Sequence, residues 1–283
     1  MQIPARFAFI FLAFAAAARA APPVTVEYSK AGGESLKLDA CVPDGPGPFP
    51  AVILVHGGGW NSGDKEGGRH RGMIAPMEDP LLAGGFAWFS INYRLAPKHS
   101  FPAPLDDVEA SIRWLKAHAA EYRVDPRRIA LAGESAGGHL VALAGVSDDP
   151  TVRVAAVVDF YGPIDLLAKV RAAGGSLEPG LAGLFGSAAL DHETAARLQA
   201  ASPINFVRPG LPPFLLLHGT ADKSVPFENS VDLQAKLRAA GDTCDLIVIP
   251  GGAHGMINWD KIAPDYKERV VSWLSRTIAA PTP

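Results

Sequence analysis

Cysteine is scarce in this chain of 283 residues: there are two, Cys41 and Cys244. Neither belongs to a Cys/His cluster with metal-ligand spacing, so no metal site is expected. A single disulfide is open by count. We expect none, because both residues fall on strands near opposite edges of the sheet inferred below, beyond bridging distance. Charge is sparse too. Asp, Glu, Lys and Arg make up 19% of the residues and nearly cancel, at a net −3. No basic face invites nucleic acid or an anionic membrane surface. Low charge beside 48% hydrophobic residues excludes a disordered chain and supplies a sizeable core. Internal repeats and long linkers are absent as well, which leaves one domain.

Apolar runs of membrane-spanning length are also missing. The longest, Phe7–Ala18, follows a short n-region carrying Arg6 and precedes Ala18-Arg19-Ala20. It is too short for a comfortable span and has the layout of a secretory signal with a small-residue cleavage site. Residues 1–20 are therefore expected to be a signal peptide, with an uncleaved N-terminal anchor as the alternative. The remainder, 21–283, is expected to work in the periplasm or outside the cell, without membrane contact once the signal is removed.

What is present is a rhythm. Val24–Ser29 and Leu36–Val42 alternate around Ala31-Gly32-Gly33-Glu34 and read as a hairpin. Ala51–Val55, Phe86–Asn92, Arg128–Ala132, Val154–Phe160, Phe214–Leu217 and Asp245–Ile249 are short apolar runs of the kind buried on both faces. Between them lie helical patterns at Leu105–Tyr122, at Phe227–Ala240 with Gly241 as a C-cap, and at Tyr266–Ile278. Strands alternating with helices predict an α/β fold, a mostly parallel sheet of about eight strands with helices on both faces and an antiparallel hairpin edge. One stretch breaks the rhythm. Residues 162–205, with a helix expected around Asp191–Ala201, form an excursion suited either to a lid or substrate wall or to an ordinary crossover with a loose loop.

The rest is organised around Gly133-Glu134-Ser135-Ala136-Gly137-Gly138. An apolar strand enters it and a small-residue helix leaves it, which makes G-x-S-x-G a nucleophile elbow. A serine hydroxyl needs a base, and the base needs an acid to orient it. In an elbow protein these follow in the order Ser, Asp, His at later strand ends. Asp222, in His218-Gly219-Thr220-Ala221-Asp222, and His254, in Gly252-Ala253-His254-Gly255, meet both conditions. The other histidines fit less well. His70, His99, His118 and His192 lie in or before crossovers, His139 points along the elbow helix, and His218 is expected to brace the acid's loop. His56-Gly57-Gly58-Gly59-Trp60 follows a buried strand and gives backbone N–H groups the freedom to point inward. With Ala136 it predicts a three-donor oxyanion hole of Gly58, Gly59 and Ala136. Trp60 is expected to line the substrate pocket, the alternative being that it packs the loop onto the domain.

Taken as an ordered set, these motifs, together with Asn92-Tyr93-Arg94-Leu95-Ala96-Pro97, resemble the α/β-hydrolase carboxylesterases over nearly all of residues 21–283. Within that family the chain looks most like the bacterial acetyl-xylan/feruloyl esterase branch, related to the hormone-sensitive-lipase-like group. The resemblance implies hydrolysis of acetyl or hydroxycinnamoyl esters on plant polysaccharide by Ser135, His254 and Asp222, with no cofactor and a small ester or esterified polysaccharide as partner. Three alternatives stay open: a prolyl-oligopeptidase-like peptidase, an aryl-formamidase-like amide hydrolase, and a non-catalytic hydrolase-fold binding protein.

Overall fold

Strand β3 (Phe49–Val55) shows why the sheet needs two covers. Its Ala51, Ile53 and Val55 pack with Val108, Ile112, Leu115 and Leu140 on one face. Its Val52 and Leu54 pack with Leu81, Val270 and Leu274 on the other. Side chains alternate across a strand, so a run apolar at every position is stable only with helices on both sides. The computed structural model of the protein describes residues 22–66 and 74–278, so the expected signal peptide and His70 lie outside the described residues.

The other strands are β1 (Val24–Ala31), β2 (Glu34–Cys41), β4 (Ala87–Ile91), β5 (Val124–Glu134), β6 (Ala156–Phe160), β7 (Phe214–Gly219) and β8 (Cys244–Ile249). They form one sheet in the order β1-β2-β4-β3-β5-β6-β7-β8. The hairpin pairs antiparallel within itself and with β4, and every other pairing is parallel. The helices are α1 (Glu78–Ala83), α2 (Ala103–Ala117), α3 (Ala136–Gly145), α4 (Leu166–Ala172), α5 (Pro179–Phe185), α6 (His192–Ala200), α7 (Glu228–Ala239), α8 (Trp259–Ile262) and α9 (Tyr266–Thr277). This is the expected mostly parallel α/β architecture. Cys41 and Cys244 are buried and form no disulfide. They sit on β2 and β8, six strand spacings apart, or roughly 29 Å at the usual inter-strand distance.

Two boundaries differ from the sequence reading by four residues or more. Helix α2 stops at Ala117 rather than Tyr122, because His118 leaves helical geometry and its Nδ1 lies 2.8 Å from the Trp114 carbonyl. Arg123 then takes a positive φ of 53°, and the chain enters β5 at Val124, four residues earlier than expected. The excursion at 162–205 holds three short helices instead of one. Its Leu166, Val170, Leu181, Leu184, Phe185 and Leu198 are buried in the same core cluster as α2 and α3.

The excursion is also tied to α3 by a buried histidine. His139 is 0% exposed; its Nε2–H donates to the Ala201 carbonyl at 2.7 Å, just past α6. Burial lowers its pKa to about 4, against a smaller opposing effect of that hydrogen bond. The unfolded chain takes up a proton near pH 6.5 that the folded chain refuses until about pH 4, so this group removes stability as pH falls through that window. We expect urea unfolding to show a loss on the order of 3 kcal/mol from this residue between pH 7 and pH 4. A His139→Gln variant, less stable at pH 7, should show a correspondingly shallower decline.

Candidate active site

Parallel register brings the motifs together. Val55, the last residue of β3, pairs with Gly133 of β5, so the glycine-rich loop and the elbow leave the sheet side by side. Phe160 of β6 pairs with Glu134, and Gly219 of β7 pairs with Ile249 of β8. The loops that carry Ser135, Asp222 and His254 all begin at the same edge.

Ser135 has φ 54° and ψ −117°, a conformation a non-glycine residue holds at a cost of about 1–3 kcal/mol. The surrounding contacts enforce it. A Cβ at Gly137 would lie 2.2 Å from the Val55 carbonyl oxygen, so only glycine lets α3 cross the end of β3. The turn leaves Ser135 half-buried and makes Ala136 the first residue of α3, where a backbone N–H has no intrahelical acceptor.

The Ser135 hydroxyl donates to His254 Nε2 at 2.9 Å, and His254 Nδ1–H donates to Asp222 Oδ2 at 2.7 Å. The carboxylate facing Nδ1 selects this tautomer and leaves Nε2 as the acceptor. Asp222 has a fully buried side chain. Burial alone would raise its pKa, but hydrogen bonds from His218, His254 and the Val225 N–H outweigh that and hold the carboxyl well below its ordinary value. Its Oδ1 accepts the Ser224 and Val225 N–H groups at 2.8 and 2.9 Å. His218 braces this loop, as expected. It is 0% exposed, its Nε2 lies 2.9 Å from the Val225 carbonyl and 3.4 Å from Asp222 Oδ2, and its Nδ1 lies 2.8 Å from Ser230 Oγ. Asp222 therefore stays ionised and ready to stabilise a protonated His254.

The glycine-rich loop is held from beneath. The Gly57 N–H donates to Glu134 Oε1, and the Tyr93 hydroxyl donates to the His56 carbonyl at 3.0 Å. The His56 ring stacks on Tyr93 at 4.3 Å. Tyr93 is steadied by its neighbour Arg94, whose guanidinium chelates the buried Asp107 of α2 at 2.8–3.0 Å. Gly58 adopts φ 100°, a region open to glycine, and its carbonyl accepts the Asn61 and Ser62 N–H groups. Gly58 and Gly59 thus follow directly on Gly57, the residue that ties this loop to the elbow through Glu134.

Trp60 corrects one expectation. It does not line an open pocket: it is 2% exposed, its indole N–H donates to His139 Nδ1 at 3.2 Å, and its carbonyl accepts the Ala96 N–H. So large a ring, buried on all sides, has the packing role given above as the alternative. Helix α5 lies against this loop, where a Cβ at Gly180 would be 2.7 Å from the Gly59 carbonyl oxygen.

The sequence reading missed Tyr161. This residue follows β6 at the same sheet edge, is 0% exposed and holds φ 47°, an outlier for an aromatic side chain. Its ring meets His254 edge-on at 4.9 Å and Trp259 at 5.3 Å. The signal available was its position alone: the first residue past a buried parallel strand, ahead of Gly162-Pro163.

A family model described as BD-FAE matches residues 38–237. Over 285 aligned residues the chain is 27% identical to an acetylxylan esterase of Xylanibacter ruminicola, covering 96% of this chain and 54% of the relative. The chain spans about half the length of the curated relatives it matches. Solved structures cover it more fully. A truncated carbohydrate esterase from gut microbiota superposes with a TM-score of 0.79 at 29% identity, over 94% of this chain and 99% of that one. The thermophilic esterase 2 of Thermogutta terrifontis, bound to propionate, superposes with a TM-score of 0.73 at 27% identity, over 92% and 97%. The same esterase has been captured phosphorylated by paraoxon. With an α/β-hydrolase sheet and a family match across most of its length, this chain belongs to the BD-FAE family.

Proposed function

We propose that the protein is an exported serine carboxylesterase that removes short acyl groups from esterified carbohydrate. The observation that carries this is the unbroken relay of Ser135 to His254 to Asp222, at 2.9 and 2.7 Å. Ser135 Oγ attacks the ester carbonyl while His254 Nε2 takes its proton. The imidazolium so formed is stabilised by the ionised Asp222. The N–H groups of Gly58, Gly59 and Ala136 receive the developing oxyanion, the place where preorganised donors are most effective. His254 then returns the proton to the leaving alcohol. Water deprotonated by the same histidine attacks the acyl-enzyme, releases the acid and restores Ser135.

Substrate class is supported by likeness: to an acetylxylan esterase, to a carbohydrate esterase and to an esterase crystallised with propionate. Export is supported by the N-terminal sequence, and it suits a polymer too large to enter a cell.

We expect Ser135→Ala to lower p-nitrophenyl acetate turnover by at least about 10⁴-fold, leaving KM and the thermal midpoint near wild type. Paraoxon should add one diethylphosphoryl group per chain, located on Ser135 by peptide mass spectrometry and absent in the alanine variant. Asp222→Asn should cost kcat on the order of 10⁴-fold by presenting the wrong His254 tautomer. Acetate release from acetylated xylan, compared with ferulate release from methyl ferulate, assigns the acyl group. Release of ferulate alone would replace acetyl with hydroxycinnamoyl, and no ester turnover would defeat the proposal.

A further inference from the structure

Glu134 precedes the nucleophile, yet its side chain faces into the protein rather than towards substrate. It is 2% exposed. Its Oε1 accepts the Gly57 N–H, and the Tyr161 hydroxyl faces the same carboxyl group closely enough to act on its charge. Contact with the glycine-rich loop is close enough to exclude any side chain there, because a Cβ at Gly57 would lie 2.3 Å from Glu134 Oε1. A buried carboxyl group is costly unless it is paired or hydrogen-bonded. Desolvation raises its pKa to about 7 even against the Gly57 hydrogen bond and the Tyr161 hydroxyl. Its neighbour is equally constrained. Tyr161 is pinned at positive φ, its N–H donates to the Leu217 carbonyl at 2.9 Å, and its ring lies edge-on to His254 at 4.9 Å. Backbone strain at a fully buried aromatic residue persists where surrounding structure over-determines it, as at reaction centres.

We propose that Glu134 and Tyr161 are a pair of positioning residues that sets the oxyanion loop and the base in one frame. Glu134 fixes the loop at Gly57, the residue before the two glycine donors. Tyr161 fixes Glu134 through its hydroxyl and His254 through its ring. The donors that receive negative charge and the nitrogen that receives the proton are thus located by adjoining groups behind Ser135. This rests on the serine-esterase reading above. Neither residue touches substrate, so loosening them displaces the reacting groups without removing any, and a displacement near 1 Å costs on the order of 10²-fold in rate.

The test uses the full chain, with active sites counted by paraoxon burst, and compares Tyr161→Phe, Glu134→Ala and Glu134→Gln. On p-nitrophenyl acetate, the phenylalanine and alanine variants should lose about 10- to 100-fold in kcat per titrated site, with KM changed by no more than about twofold. Inhibition by an alkyl trifluoromethyl ketone, which forms a tetrahedral adduct on the serine, should weaken by the same factor as kcat. Glutamine keeps an oxygen that accepts the Gly57 N–H and should recover most of the loss. Wild-type kcat per site in either Tyr161→Phe or Glu134→Ala, or a glutamine variant as slow as alanine, overturns the proposal. If the alanine variant fails to fold, Tyr161→Phe, which keeps the ring, decides the question. Absence of Ser135-dependent turnover in the wild type would instead sink the esterase reading itself, and this proposal with it.

Discussion

The site depends on the parallel pairing of β3 with β5. Over residues 51–55 and 129–133 both strands are apolar on both faces, and their register sets Val55 against Gly133. A slip of one residue would exchange the two faces and is resisted by every side chain in both core layers. Because β3 to β8 all run the same way, their C-terminal ends share one edge. The glycine-rich loop, Tyr93, Ser135, Tyr161, Asp222 and His254 each follow one of these strands. Six separate sequence segments converge without any long loop reaching across the domain, which is how open parallel sheets build sites generally.

Beneath that edge lies an unusual density of buried polar groups, among them His56, Glu134, His139, Asp159 and His218. Desolvation is offset only in part at His56 Nε2, Glu134 Oε2 and Asp159 Oδ2, which have no hydrogen-bond partner among the described residues. Asp222 is the best satisfied: its carboxylate is surrounded by two histidines and two backbone N–H groups. His139 bonds to Trp60 on one side and to the Ala201 carbonyl on the other, so the glycine-rich loop, the elbow helix and the excursion meet on one neutral imidazole. Rigidity at the edge is obtained from polar contacts with defined direction, laid over a core that supplies most of the stability.

The sheet was legible because its strands are continuous apolar runs and its helices keep a 3.6-residue period for three turns or more. The positions of Ser135, Asp222 and His254 were legible because strand ends and glycines mark them. Helices α4 and α5 were not, since seven residues each give fewer than two turns of pattern. The early start of β5 was hidden behind Asp125-Pro126, which reads as a turn although it lies in the strand. Trp60 was misplaced because its neighbours in sequence say nothing of His139, which becomes its partner only when α3 packs beneath the loop. Tyr161 gave only its place after a strand: its significance comes from a dihedral angle and from ring contacts that a sequence does not display.

The meeting of α5 with Gly59 has an evolutionary side. Where Gly180 lies against the Gly59 carbonyl, the excursion and the glycine-rich loop share a boundary with no room for a side chain between them. Mutations that enlarge this flank of α5 are therefore transmitted to the glycine-rich loop. Change in α5 and change in the loop are coupled, and drift in one would have to be matched in the other.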